Sequence, residues 1–219
     1  MRRFITITIL LFVFSSAASA DPMTWNNNNG NYGFGFYDTV KIFSSTSPYS
    51  GYTVRAGELD ITYNSTNYMS YCVDLMQSLG NASVTELVPS SEAFLKAAYL
   101  FETQYNNVSS GTDAAALQVA IWEIVSEDYG SFGYDVTDSS SNFYITNNTN
   151  VSLAANNLLS QLTIPIDYNS GTNIKILASN YAQDVMIHET ATNGSPIPEP
   201  STVMVLGLSG LFFLRRQKA

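Results

Sequence analysis

From residue 40 to residue 63 the chain alternates apolar and polar positions in short runs broken by Gly, Ser and Asn. Val40-Lys41-Ile42-Phe43, Tyr52-Thr53-Val54-Arg55 and Leu59-Asp60-Ile61-Thr62-Tyr63 predict antiparallel strands, because a period of two puts every second side chain on one face. Residues 69–75 continue the pattern, with Met69, Tyr71, Val73 and Leu75 on one face and Ser70, Cys72 and Asp74 on the other. The period then lengthens. Ser90-Ser91-Glu92 caps a run in which Phe94, Ala97, Ala98, Leu100 and Phe101 fall at helical spacing. Gly111-Thr112-Asp113 breaks and recaps, predicting a second helix over 114–125, and a third is expected over 151–162. Strands over 173–178 and 183–189 finish the pattern. The Asn-dotted stretch after Asp21, the 139–141 serines and residues 147–150 read as loops. Strands first, helices inserted and strands last predict one α+β domain: a β-sandwich or barrel of antiparallel strands with a helical insertion.

The two ends fall outside that pattern. Met1-Arg2-Arg3, the apolar residues 4–14 and Ala18-Ser19-Ala20 have the layout of a secretory signal peptide, residues 1–20. At the other end Pro196-Ile197-Pro198-Glu199-Pro200 precedes apolar residues 201–214 and then Arg215-Arg216-Gln217-Lys218. Prolines favour an extended linker, and the apolar stretch is short of the roughly 20 residues of a full span. Pro198-Glu199-Pro200, the short apolar helix and the Arg215-Arg216 pair together resemble the PEP-CTERM sorting tail, here residues 196–219. The resemblance implies processing by an exosortase, transient inner-membrane anchoring through the C-terminal helix, and a surface or extracellular fate in a Gram-negative bacterium. The functional domain is then residues 21–195.

In a chain of 219 residues, 45% hydrophobic residues supply a sizeable core, while charged residues are only 12%. Between the ends four basic residues (Lys41, Arg55, Lys96 and Lys175) face seventeen acidic ones. That surface repels phosphate backbones and excludes nucleic acid as a partner. One cysteine and one histidine rule out a disulfide framework and His- or Cys-rich metal centres. No cofactor is expected, and any triad would have to use His188.

Gln118 stands at the centre of the apolar face of the second helix on a 100° wheel, with Ala114, Ile121, Trp122 and Val125 beside it and Glu123 and Glu127 opposite. A buried carboxamide left unpaired costs on the order of 1–3 kcal/mol. Cys72, the lone thiol, is off the aliphatic face of its strand. Each residue has one ordinary reading: Gln118 as a satisfied core glutamine and Cys72 as an inert small hydrophobe. One joint reading fits both, an intramolecular thioester between Cys72 Sγ and the Gln118 acyl carbon, formed with loss of ammonia. Tyr71-Cys72-Val73-Asp74-Leu75 and Leu117-Gln118-Val119-Ala120-Ile121-Trp122-Glu123 resemble the two signature blocks of bacterial thioester domains. Leu117 departs from the Thr that Gram-positive adhesins tend to carry there. The resemblance implies a Cys72–Gln118 cross-link supported by Tyr71, Asp74 and Trp122.

Three functions are open at this point. An exported surface protein would use the thioester for one covalent attachment to an amine or hydroxyl of another polymer, as single-turnover adhesion rather than enzyme catalysis. A structural matrix or coat protein, as in a biofilm, would carry the same fold with an inert cysteine or a purely structural cross-link. A cysteine hydrolase would need Cys72, His188 and perhaps Asp74 in one site.

Overall fold

The computed structural model describes residues 21–26, 34–127, 133–168 and 173–192; the expected signal peptide and sorting tail lie outside them. Eight strands and three α-helices follow in the order β1 (Asp21–Trp25), β2 (Phe34–Ser44), β3 (Thr53–Tyr63), β4 (Thr66–Cys72), β5 (Ala82–Leu87), α1 (Glu92–Gln104), α2 (Gly111–Ser126), β6 (Phe143–Thr146), α3 (Thr149–Ser160), β7 (Ile174–Ala178) and β8 (Val185–Thr192). Every strand pairing is antiparallel. The order β1-β5-β7-β8-β4-β3 closes on itself because β1 also pairs with β3, giving a six-stranded barrel. β2 and β6 extend the sheet outside that ring. The domain is α+β, and of the two architectures expected it has the barrel.

Long β3 makes this possible. It gives one edge to β4 and divides the other between β1, at residues 61–63, and β2, at residues 53–59. The two runs read as separate strands in the sequence, 52–55 and 59–63, are therefore one. The link between them contains Gly57, whose φ of +147° is open to glycine, and whose substitution would drive a Cβ into the Phe36 carbonyl. Three strands had no clear alternation and were not foreseen: β1 is only five residues long, β5 is mostly exposed, and β6 is a four-residue edge.

Residues directly opposite on paired strands share a face. The registers Leu59↔Ser70, Ser70↔Ile187 and Cys72↔Val185 therefore put Ser70 and Cys72 with Leu59, Ile187 and Val185 inside the barrel. Tyr71 and Met186 take the outer face, where Tyr71 meets Phe101 of α1. Both faces of β4 are thus covered at this point, which explains why Ser70 and Tyr71 are both fully buried. The strand ends at Cys72 rather than continuing to residue 75.

Each helix begins just after a side-chain cap: α1 where expected, α2 at Gly111 and α3 at Thr149 rather than at 114 and 151. Ser91 Oγ accepts from Phe94 N at 3.3 Å, Ser110 Oγ from Asp113 N at 3.2 Å, and Asn148 Oδ1 from Val151 N at 3.2 Å. Residues 147–150, expected as a solvated loop, instead cap and start α3. Helix α2 is buried along its whole middle, from Ala114 to Ile124. Gly111 lets its first turn press on β2, since a Cβ there would strike the Tyr37 carbonyl. With β2 and β3 on one side and α1 and α3 on others, α2 has no solvent face there. Glu123, placed on the polar side of the wheel, is consequently fully buried.

Candidate functional site

Cys72 closes β4 where its partner strand has already left. The last β3–β4 rung is Leu59↔Ser70, so the backbone groups of Cys72 that face β3 have no strand to pair with. Gln118 of α2 takes the missing rung. Cys72 N donates to Gln118 Oε1 at 2.9 Å, and Gln118 Nε2 donates to Cys72 O at 2.7 Å. The carboxamide imitates a strand residue and satisfies two buried main-chain groups at once. Its acyl carbon is held against the backbone of the residue that bears the sulfur. Both residues are almost completely enclosed, at 3% and 1% exposure.

The sulfur has a second carboxamide beside it. Cys72 Sγ donates to Gln183 Oε1 at 2.7 Å, while Gln183 Nε2 donates to Asp74 O at 3.2 Å and Gln183 N to Ser78 O at 3.1 Å. Sequence reading made Gln183 the first residue of the last strand. It lies before β8, which starts at Val185, and its side chain points inward in phase with Val185 and Ile187. The available signal was the same as for Gln118: an amide amid apolar neighbours.

Asp74 does not touch the sulfur. Its Oδ1 accepts from Met76 N and its Oδ2 from Asp184 N, both at 2.9 Å. Asp184 in turn accepts from Ser179 N through Oδ1 at 2.7 Å and from Val73 N through its main-chain oxygen at 3.0 Å. Asp74 thus clamps the turn after β4 to the start of β8. Tyr71 points to the other side of the barrel wall, 5.5 Å from the Phe101 ring, with its hydroxyl buried and unpartnered. It packs beneath α1 rather than beside the thiol. Trp122, one helical turn after Gln118, lines the site and meets Phe143 edge-on at 6.2 Å. Its Nε1 is buried with no hydrogen-bond partner.

A cavity of about 290 Å³ borders Cys72, Gln118, Trp122 and Gln183. Its walls are mostly apolar, including Leu59, Leu75 and Leu79, and it reaches the surface at Leu79, which is 38% exposed. Arg55 is the one charged side chain among its lining, and stacks on Phe34 and Tyr37 at 5.5 and 5.0 Å.

Burial pushes the Cys72 thiol well above its ordinary pKa, and the nearby Asp74 and Asp184 carboxylates push it further. Low polarity penalises a thiolate but not an uncharged acylated sulfur. His188 does not relieve this. It lies three residues beyond Val185, the residue opposite Cys72, and so on the other face of β8. There it stacks on Tyr105 at 5.8 Å and meets Phe101 at 6.5 Å. Expected as a solvated edge residue, it sits on a strand paired on both sides, β4 and β7. Cys72 and His188 therefore form no nucleophile–base pair.

Among the described residues no group of His, Cys, Asp and Glu is arranged to hold a metal ion, and no helix is long and apolar enough to cross a membrane. No curated protein and no solved structure matches the chain. Residues 196–218 match the model of the PEP-CTERM protein-sorting motif. The match includes Pro198, Glu199, Pro200, Arg215 and Arg216, all outside the described residues. Proteins bearing this motif are processed by an exosortase. The motif implies an exported protein with a transient membrane anchor and a cell-surface or extracellular fate.

Proposed function

We propose that this exported protein carries an internal thioester between Cys72 and Gln118 and uses it to attach itself covalently, once, to an amine or hydroxyl of another surface polymer. The observation that carries the reading is the two-point hold of the Gln118 carboxamide on the backbone of Cys72. Cys72 N–H is already hydrogen-bonded to the oxygen on which negative charge builds when the acyl carbon is attacked, which is how an oxyanion site works. Formation joins Sγ to the acyl carbon and releases the Gln118 nitrogen as ammonia, the sulfur's proton leaving with it. Attack by an amine R–NH₂ then forms an amide to R, and the proton lost by nitrogen ends on Sγ. No second turnover follows, so the protein is an adhesin or matrix cross-linker and not an enzyme. Its polymer partner belongs to the surface or extracellular matrix in which the sorting tail delivers it, and a Gram-negative host with inner-membrane anchoring fits that tail.

Intact mass of the secreted protein tests this. The expected result is a chain one ammonia lighter than its processed sequence, with full mass restored in Cys72→Ala. Wild type at full mass with a titratable thiol overturns it. A second reading is favoured by the near-complete enclosure of Cys72 and Gln118: a sealed thioester acting only as a structural cross-link in a matrix protein. Methylamine separates the two, since a reactive thioester gains one methylamine and a sealed one does not.

A further inference from the structure

We infer that Gln183 is a positioning residue for acyl transfer, holding the hydrogen of whichever group occupies the place beside the sulfur. The inference rests on the thioester reading and adds to it a residue that neither signature block contains. In the free-thiol form Gln183 Oε1 accepts the S–H hydrogen at 2.7 Å. Once the sulfur is acylated it has no hydrogen to give. Gln183 Oε1 is then an acceptor without a donor, fixed next to the reactive bond by its own bonds to Asp74 O and Ser78 O.

Gln183, the sulfur and Gln118 all border the same cavity, so a group that enters there finds this acceptor beside the sulfur. The entering group must bring a hydrogen on its attacking atom, as a neutral amine N–H or an alcohol O–H does. A charged ammonium cannot attack, because its nitrogen has no free lone pair to offer the acyl carbon. An amide oxygen is too weak a base to take the proton. Gln183 instead aligns the N–H or O–H bond so that the lone pair faces the acyl carbon. As the new bond forms and the C–S bond breaks, the hydrogen passes from the attacking atom to Sγ, which again donates to Gln183. The acceptor class is thus an uncharged primary amine or hydroxyl able to enter an apolar cavity.

The test uses the whole secreted protein and two readings, intact mass before and the rate of methylamine adduct formation after. Gln183→Leu removes the acceptor, Gln183→Asn retracts it by one methylene, and Gln183→Glu keeps an oxygen in place. All three variants are expected to be one ammonia lighter, as wild type is. Gln183→Leu and Gln183→Asn should form the adduct at least about tenfold more slowly, the loss of one aligned hydrogen bond. Gln183→Glu should stay within about threefold of wild type, a rescue that a packing role would not give. Adduct formation at the wild-type rate in both Gln183→Leu and Gln183→Asn overturns the inference while leaving the thioester in place. So does a variant at full mass beside a light wild type, since that assigns Gln183 to bond formation instead. A wild type at full mass overturns the underlying reading and this one with it.

Discussion

If Cys72 and Gln118 are joined as proposed, opening the thioester with methylamine changes the cross-link without changing the sequence, so it isolates what the bond does for stability. Cys72 and Gln118 are 46 residues apart, and the chain between them includes β5 and α1. Loop closure of that length restricts the unfolded chain by about 4 kcal/mol, on the scale used for disulfides. A small term opposes it. The thioester has no Nε2, so Cys72 O loses the donor it has at 2.7 Å in the open form, a cost of about 1 kcal/mol. The N-methyl amide of the opened form supplies one N–H again. The net difference is about 3 kcal/mol, which for a domain of this size lowers the melting temperature by about 6–12 °C. Thermal unfolding followed by circular dichroism on wild type, methylamine-treated wild type and Cys72→Ala measures it, with the adduct verified by mass. Treated wild type and Cys72→Ala should melt at similar, lower temperatures, and methylamine should leave Cys72→Ala unmoved. A fully adducted protein that melts within a degree of the untreated one would refute the loop-closure reasoning.

Other consequences follow from single contacts. In a Cys72→Ala background, where no cross-link can form, adding Gln118→Ala orphans both main-chain groups of residue 72 and should cost about 2–6 kcal/mol in urea unfolding, at about 1–3 kcal/mol for each buried group. Tyr71→Phe removes a buried hydroxyl that bonds nothing, so stability should change by less than about 1 kcal/mol and the mass loss should persist. Asp74→Ala frees Met76 N and Asp184 N and should destabilise by about 1–3 kcal/mol, with Asp74→Asn milder because one oxygen remains. Glu123 provides a pH signature. Burial, reinforced by Glu127 and Asp135, raises its pKa from 4.5 to about 8, although the bond from Asp135 N opposes the rise. The folded state therefore holds a proton that the unfolded chain releases near pH 4.5. The associated stability is fully present below that pH and is lost as the pH climbs through about 8. Glu123→Gln should flatten the fall of the melting temperature between those limits; an unchanged slope would remove Glu123 as its source.

What the sequence shows and what it hides divide along physical lines. Strong local signals survived: Ser91 caps α1, the 110–113 break starts α2, and the alternation around Leu59–Tyr63 is a barrel strand. The Cys72 and Gln118 anomalies were visible because each breaks a period, and the two residues are in contact 46 positions apart. Hidden features depend on what surrounds an element. A helical wheel assumes one wet side, and α2 has none along its middle, so Glu123 was misplaced. Strand alternation assumes one covered face, and β4 is covered on both, so Cys72, off the aliphatic face, is buried as Tyr71 is across the wall; the supporting role expected of Tyr71 came from the resemblance, not from the alternation. Gln183 carried a signal too, an amide in phase with Val185 and Ile187, but nothing in the sequence joins it to a sulfur 111 positions away.

The same geometry explains why a buried glutamine belongs in α2 whatever the fate of the sulfur. A closed barrel has no edges, yet β3 must leave β4 after Leu59↔Ser70 to reach β2. That departure strands the N–H and C=O of Cys72 inside the protein, at a cost comparable with much of a domain's net stability. A main-chain rung cannot be supplied there, because the space is filled by a helix whose own backbone is fully paired. Only a side chain that is both donor and acceptor can close it, and asparagine is one methylene too short at the same helix position. Gln118 answers a structural demand first. The proposed thioester adds one circumstance to that demand: the residue whose backbone needed the partner is a cysteine, so the side chain beside the bonded backbone carries a thiol.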